Sequence, residues 1–105
     1  MKKIIIDLEN CKSTDEIRNL IKKNLNLIEW NENNPDVLLK ILRELEQCRI
    51  YFRGANLVPA NISKYIKQII DIFDKVEELY NNIDFHVMDV VTIDFTGIKS
   101  IYEAH

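Results

Sequence analysis

Two histidines, two cysteines and a set of carboxylates carry whatever acid–base, nucleophilic or metal chemistry this 105-residue chain holds. Neither His86 nor His105 stands near a Ser or Cys in a pattern that pairs a base with a nucleophile, as a catalytic triad requires. His86, at the start of an expected strand, reads as structural or solvated, and His105 closes the sequence. A zinc site needs about four Cys, His or carboxylate ligands at suitable spacing, and Cys11, Cys48 and the two histidines offer no such spacing. The only glycines, Gly54 and Gly97, make no Gly-rich phosphate cradle. A carboxylate pair working as acid and base is the remaining enzymatic option, but nothing in the spacing marks two carboxylates as buried together. The expectation is no catalysis, no cofactor and no metal.

The charge pattern points to recognition instead. The net charge is −3 and the pI about 5.4, without the basic field of a nucleic-acid binder. A mildly acidic chain attracts a basic partner at long range. From Asp71 through Asp74, Glu77, Glu78, Asp84, Asp89 and Asp94 the only opposing charge is Lys75. Asp74, Glu77 and Glu78 fall on neighbouring helical turns. They form a candidate acidic surface for a basic protein, or an ordinary solvated face balanced by Lys64 and Lys67. A second candidate lies earlier. Asp36, Lys40 and Glu44 follow at i, i+4 spacing, an arrangement suited to a modest ion-pair ladder. Trp30, Asn31, Asn33 and Asn34 lie just before them. Trp in an exposed loop is a typical binding hot spot, whereas Trp30 folded back would be a lid on the core. Both placements are open at this level.

These residues need elements to hold them. Lys2–Leu8 reads as a strand whose consecutive Ile4, Ile5 and Ile6 suit burial on both faces. Ser13 opens a helix with a capping box completed by Glu16, and Ile17, Leu20, Ile21 and Leu25 follow at helical spacing. Asn34 as N-cap and Pro35 in the first turn start a second helix, with an apolar stripe of Val37, Leu38, Ile41, Leu42, Leu45 and Cys48. Ile50–Phe52 reads as a short strand. Gly54–Pro59 is a loop with room for a short extra helix. From Asn61 or Ser63 to Tyr80 a long helix presents Ile62, Ile66, Ile69, Ile70, Phe73, Val76, Leu79 and Tyr80 on one face. Phe85–Phe95 is a third strand, Thr96-Gly97 a turn, and Ile98–His105 a short tail for which strand, helix and disorder are all open. The order β-α-α-β-α-β plus a short C-terminal tail predicts an α/β fold in a single domain over residues 1–105. It would hold a small parallel three-stranded sheet with packed helices.

Lys2-Lys3-Ile4-Ile5-Ile6-Asp7, the helix from Ser13, Leu25-Asn26-Leu27-Ile28-Glu29-Trp30 and Asn34-Pro35-Asp36-Val37-Leu38 resemble the barstar family, intracellular inhibitors of barnase-type ribonucleases. The family pattern is Leu-x-Leu-Pro-Glu-Tyr-Tyr-Gly-x-Asn-Leu-Asp-Ala-Leu-Trp-Asp. Without gaps, Glu29 matches the Glu, Trp30 the first Tyr, Asn34 the Asn and Asp36 the first Asp. The match covers residues 2–46; beyond that it rests on element order. Ile28 stands for the Pro, Glu32 for the Gly, Leu39 for the Trp, and Lys40 for the second Asp, the carboxylate that enters the ribonuclease's phosphate site. A lysine there repels a cationic cleft, so the resemblance implies a toxin other than barnase itself.

The implied function is a cytoplasmic immunity or antitoxin protein that neutralises a basic toxin, a nuclease, as a 1:1 complex. Its partner-binding residues would be Trp30, Asn31, Asn34, Asp36, Lys40 and Glu44. Direct nucleic-acid and membrane contacts are not expected. Met1-Lys2-Lys3 is followed by an apolar run too short for a secretory signal, and no stretch approaches a membrane span. Cys11 and Cys48 are then reduced thiols. An alternative function rests on Val90-Val91-Thr92-Ile93-Asp94-Phe95-Thr96-Gly97-Ile98, which resembles a strand and turn of STAS-like regulatory domains. There, a phosphorylation switch near a helix start would involve Thr96 or Ser100.

Overall fold

The computed structural model describes residues 1–30, 34–93 and 98–103, with side chains described as far as Val90 except at Pro35. Three parallel strands, β1 (Lys2–Asp7), β2 (Cys48–Arg53) and β3 (Ile83–Ile93), form one sheet with three helices, α1 (Thr14–Leu25), α2 (Pro35–Leu42) and α3 (Ala60–Tyr80). The order is β-α-α-β-α-β, as expected. A fourth strand, β4 (Ile98–Glu103), pairs antiparallel with the outer half of β3, so the sheet runs β1-β2-β3-β4. The tail is therefore strand where the backbone is described; the Thr96-Gly97 turn, Asp94, Phe95 and His105 lie outside the described residues.

The helix starts follow their local signals. Ser13 Oγ accepts from the Glu16 N–H at 3.1 Å, which satisfies one orphan amide at the start of α1, while Glu16 reaches back one residue beyond the N-cap to accept from the Lys12 N–H at 2.7 Å. Asn34 Oδ1 accepts from the Asp36 N–H at 3.0 Å with Pro35 in the first turn. Asn26 and Asn81 end α1 and α3 in the left-handed conformation, which Asn tolerates better than most residues.

Two expectations are corrected. The second helix does not run on toward Cys48. It ends at Leu42, and Asn82 Nδ2 donates to the carbonyls of Leu42 and Leu45 at 2.9 and 3.0 Å. Cys48 instead opens β2, in register with Lys2 and Ile83. Nor is β1 buried on both faces: Ile6 is fully buried but Ile5 is 50% exposed. The core lies on one face of the sheet, where Ile6, Ile50, Phe52 and Phe85 meet Ile17 and Ile21 of α1, Leu38 and Leu42 of α2, and Ile66, Ile69 and Phe73 of α3.

Between β2 and α3 a short 3-10 turn spans Ala55–Leu57. Gly54, at φ +77, precedes it, and a Cβ there would lie 3.0 Å from the Glu9 backbone. Asn56 brackets Val90, donating to its carbonyl at 2.8 Å and accepting from its N–H at 3.0 Å. Its amide thus takes the place of a strand partner where β2 has ended.

Candidate functional site

Trp30 is the clearest correction to the expected contact surface. It is fully buried and belongs to the main core cluster. The chain turns back there through a Trp30 N–H to Leu27 carbonyl bond of 3.2 Å, and the indole packs as a lid on the core rather than standing out as a hot spot. Asn31 lies outside the described residues.

The remaining expected residues are exposed but divide between two grooves. Lys40 and Glu44 line a groove of about 380 Å³ with Asn26, Leu27, Ile28, Glu29, Ile41 and Leu45. Ile28 projects there, 73% exposed. The Asp36–Lys40–Glu44 ladder does not form: Glu44 lies past the end of α2 and pairs with Arg43 at 3.3 Å. Asn34 and Asp36 instead line a second groove, about 400 Å³, against Gln68, Asp71 and Ile72 of α3. Asp36 and Asp71, far apart in sequence, are both exposed and share this concavity. Asp71 belongs to the acidic run read from the sequence; its meeting with Asp36 depends on α2 packing on α3, which no local signal announces.

The second candidate surface is only partly a surface. Glu78 is exposed, Asp74 is half-buried, and Glu77 accepts from the Phe85 N–H at 2.7 Å. That N–H faces the edge of β3 that β4, paired only from Met88 onward, leaves open. Glu77 is therefore a cap on an exposed strand edge.

A further polar network covers the open face of the sheet. Arg49 pairs with Asp84 at 2.8 Å, and His86 Nε2 lies 2.9 Å from the other Asp84 oxygen. The Tyr51 and His86 rings stack at 4.9 Å with 18° between planes, and Lys3 Nζ sits 5.0 Å from the Tyr51 ring centroid. Arg53 bridges Asp7 and Glu9 at 2.9 and 2.8 Å. The Asp84 carboxylate holds the Arg49 guanidinium in its charged form more firmly than usual. His86 thus packs on this face between Tyr51 and Asp84. Strand alternation is the signal for these residues, since Lys3, Ile5 and Asp7, then Arg49, Tyr51 and Arg53, then Asp84 and His86 project to one side.

Among the described residues no group of three or more His, Cys, Asp or Glu converges as a metal site, and no helix is long and apolar enough to cross a membrane. Cys11 and Cys48 are buried free thiols, and burial raises the pKa of both. No protein-family model and no curated protein matches the chain.

Proposed function

We propose that this chain is a barstar-like inhibitor that blocks a basic nuclease toxin in a 1:1 complex, working in the cytoplasm as an immunity or antitoxin protein. The observation that carries the reading is the acidic groove where Asn34 and Asp36, at the start of α2, meet Gln68 and Asp71 of α3. Its α2 side, Asn34 and Asp36, lies in the segment where the family resemblance is most specific, and its α3 side lies outside that match. Two carboxylates exposed along one concavity offer a cationic side chain more than one partner and raise the encounter rate with a positive cleft. The contact set is Asn34 and Asp36 extended by Asp71, with Lys40 and Glu44 on the adjoining groove. Trp30 supports the surface from inside.

The test is affinity capture with the purified chain, followed by a nuclease assay on the recovered protein. A basic nuclease silenced at 1:1 stoichiometry is the expected result. Asp36→Ala and Asp71→Ala should each weaken binding about tenfold, and association should slow as salt rises. Capture of no nuclease, or inhibition indifferent to both substitutions, sinks the proposal. The STAS-like alternative draws no support from the backbone, since Ser100 lies within strand β4 rather than at a helix start.

A further inference from the structure

Strand β1 is an edge of the sheet and pairs, among the described residues, with β2 alone. The direction of its free groups follows from one bond: the Leu8 N–H donates to the Arg53 carbonyl at 2.7 Å. In a parallel pair, alternate residues of a strand bond to the neighbour and the others face away. Leu8, Ile6 and Ile4 therefore bond toward β2. Lys3, Ile5 and Asp7 point their N–H and C=O groups outward, to the open edge. The same three residues put their side chains on the uncovered face of the sheet, where Ile5 is 50% exposed.

We infer that β1 is a homodimerisation strand, pairing antiparallel with β1 of a second copy so that Ile5 faces Ile5 across the two-fold axis and Lys3 faces Asp7. The register follows from the outward groups. Only odd-numbered residues have free bonds, so odd must face odd, and the register centred on Ile5 places Lys3, Ile5 and Asp7 all in bonded pairs. That register is also the one that matches charge. Lys3 meets Asp7 of the second copy at both ends, while the apolar Ile5 pair sits between them, an arrangement that stabilises cross-strand neighbours. Parallel alignment of two β1 strands in register would put Lys3 against Lys3.

The acidic end is already held in place. One Asp7 oxygen accepts from the Glu9 N–H at 3.0 Å and the other from Arg53 at 2.9 Å, and the side chain remains 52% exposed. Lysine on an edge ordinarily discourages strand addition; here the aspartate four residues on turns it into a register pin. The joined sheets would continue across the axis. A strand of six residues buries a small area, so the dimer belongs to the weak class. The surface differs from the α2–α3 groove, and this inference does not depend on the inhibitor reading.

Sedimentation equilibrium of the full chain tests it. The mass should rise from 12.4 kDa toward twice that value between about 10 µM and about 1 mM, the range of a weak interface. Lys3→Glu, at an exposed position, and Ile5→Lys should each weaken association at least about tenfold while circular dichroism stays unchanged. Register is read by cross-linking. Ile5→Cys places facing Cα atoms about 5.5 Å apart, within disulfide reach, whereas Lys3→Cys places them roughly 14 Å apart. Ile5→Cys should oxidise to a covalent dimer and Lys3→Cys should not. A monomer over the whole range, a dimer of undiminished strength in both charge variants, or equal cross-linking at the two positions overturns the proposal.

Discussion

On the helix-covered face of the sheet, Phe52 and Phe85 meet Phe73 of α3 at centroid separations of 4.8 and 4.9 Å. One residue along each strand, on the open face, Tyr51 and His86 lie at the same 4.9 Å, with Lys3, Arg49 and Asp84 around them. The separations are alike and the energetics differ. The covered cluster is dry, so its rings contribute the free energy of removing apolar area from water together with close packing. The open cluster keeps its charges in water, where ion pairs are screened and each contributes little. Strands of one sheet thus carry a face that sets stability and a face that sets surface chemistry, sorted residue by residue through the alternation of the backbone.

That comparison breaks first at the core. Phe73→Ala should cost about 3–5 kcal/mol, the range for truncating a buried aromatic, measured as a lower urea midpoint. Trp30→Ala should fall in the same range. A loss below about 1 kcal/mol there would place the indole outside the core and return it to the contact surface. Gly54→Ala comes next, at about 2 kcal/mol, because a left-handed backbone conformation is strained for alanine and the added Cβ meets the Glu9 backbone at 3.0 Å. Arg53→Ala, which takes from Asp7 and Glu9 their shared cation on the open side, should cost about 1–2 kcal/mol and lose only part of that effect in high salt, because the Arg53–Glu9 arm is largely buried while Asp7 is exposed. An Arg53 effect as large as that of Phe73 and indifferent to salt would mean the two faces are not distinct.

The parts of this fold that local chemistry determines are legible in the sequence. Ser13 with Glu16, and Asn34 with Pro35, announce helix starts because the caps are made by side chains within a few residues. The apolar face of α3 is plain over most of its length: Ile62, Ile66, Ile69, Phe73 and Val76 are all buried, whereas Leu79 and Tyr80, expected on the same face, are exposed in its last turn. What depends on distant partners is not legible. Leu45 and Cys48 continue the helical spacing of α2, and only the register with Lys2 and Ile83 claims Cys48 for the sheet. Ile4, Ile5 and Ile6 look alike, yet Ile5 is exposed because, among the described residues, no helix crosses the far face. Side-chain type does not say which way Trp30 turns. Of the expected contact residues, Asn34, Asp36, Lys40 and Glu44 are on the surface. Their division into two grooves, and the placing of Asp36 and Asp71 on the walls of one of them, come from helix packing.

The smallest expected effect also separates the two faces, through alkaline pH. Burial raises the pKa of the Cys11 and Cys48 thiols above the ordinary 9.0, with Glu16 and Asp7 adding to it at Cys11 and Lys2 opposing it at Cys48. Burial likewise raises the Tyr65 hydroxyl, against the opposing pull of Arg18. A proton held more tightly in the folded chain favours folding only while it stays bound. Below the unfolded value both states are protonated and the full stability is present. As pH climbs past it the unfolded chain releases the proton first, and stability falls until the folded value is passed. Stability should therefore decline above about pH 9, with a slope of at most about 1.4 kcal/mol per pH unit for each group. Cys48→Ala should lower stability at pH 7 through lost packing yet make the decline shallower. Arg49→Ala on the open face should leave the slope unchanged, because the guanidinium, its pKa raised further by Asp84, does not titrate in that window. Urea midpoints of the three proteins at pH 7, 9 and 10 decide it: parallel declines in all three would remove buried Cys48 as a source of alkaline sensitivity.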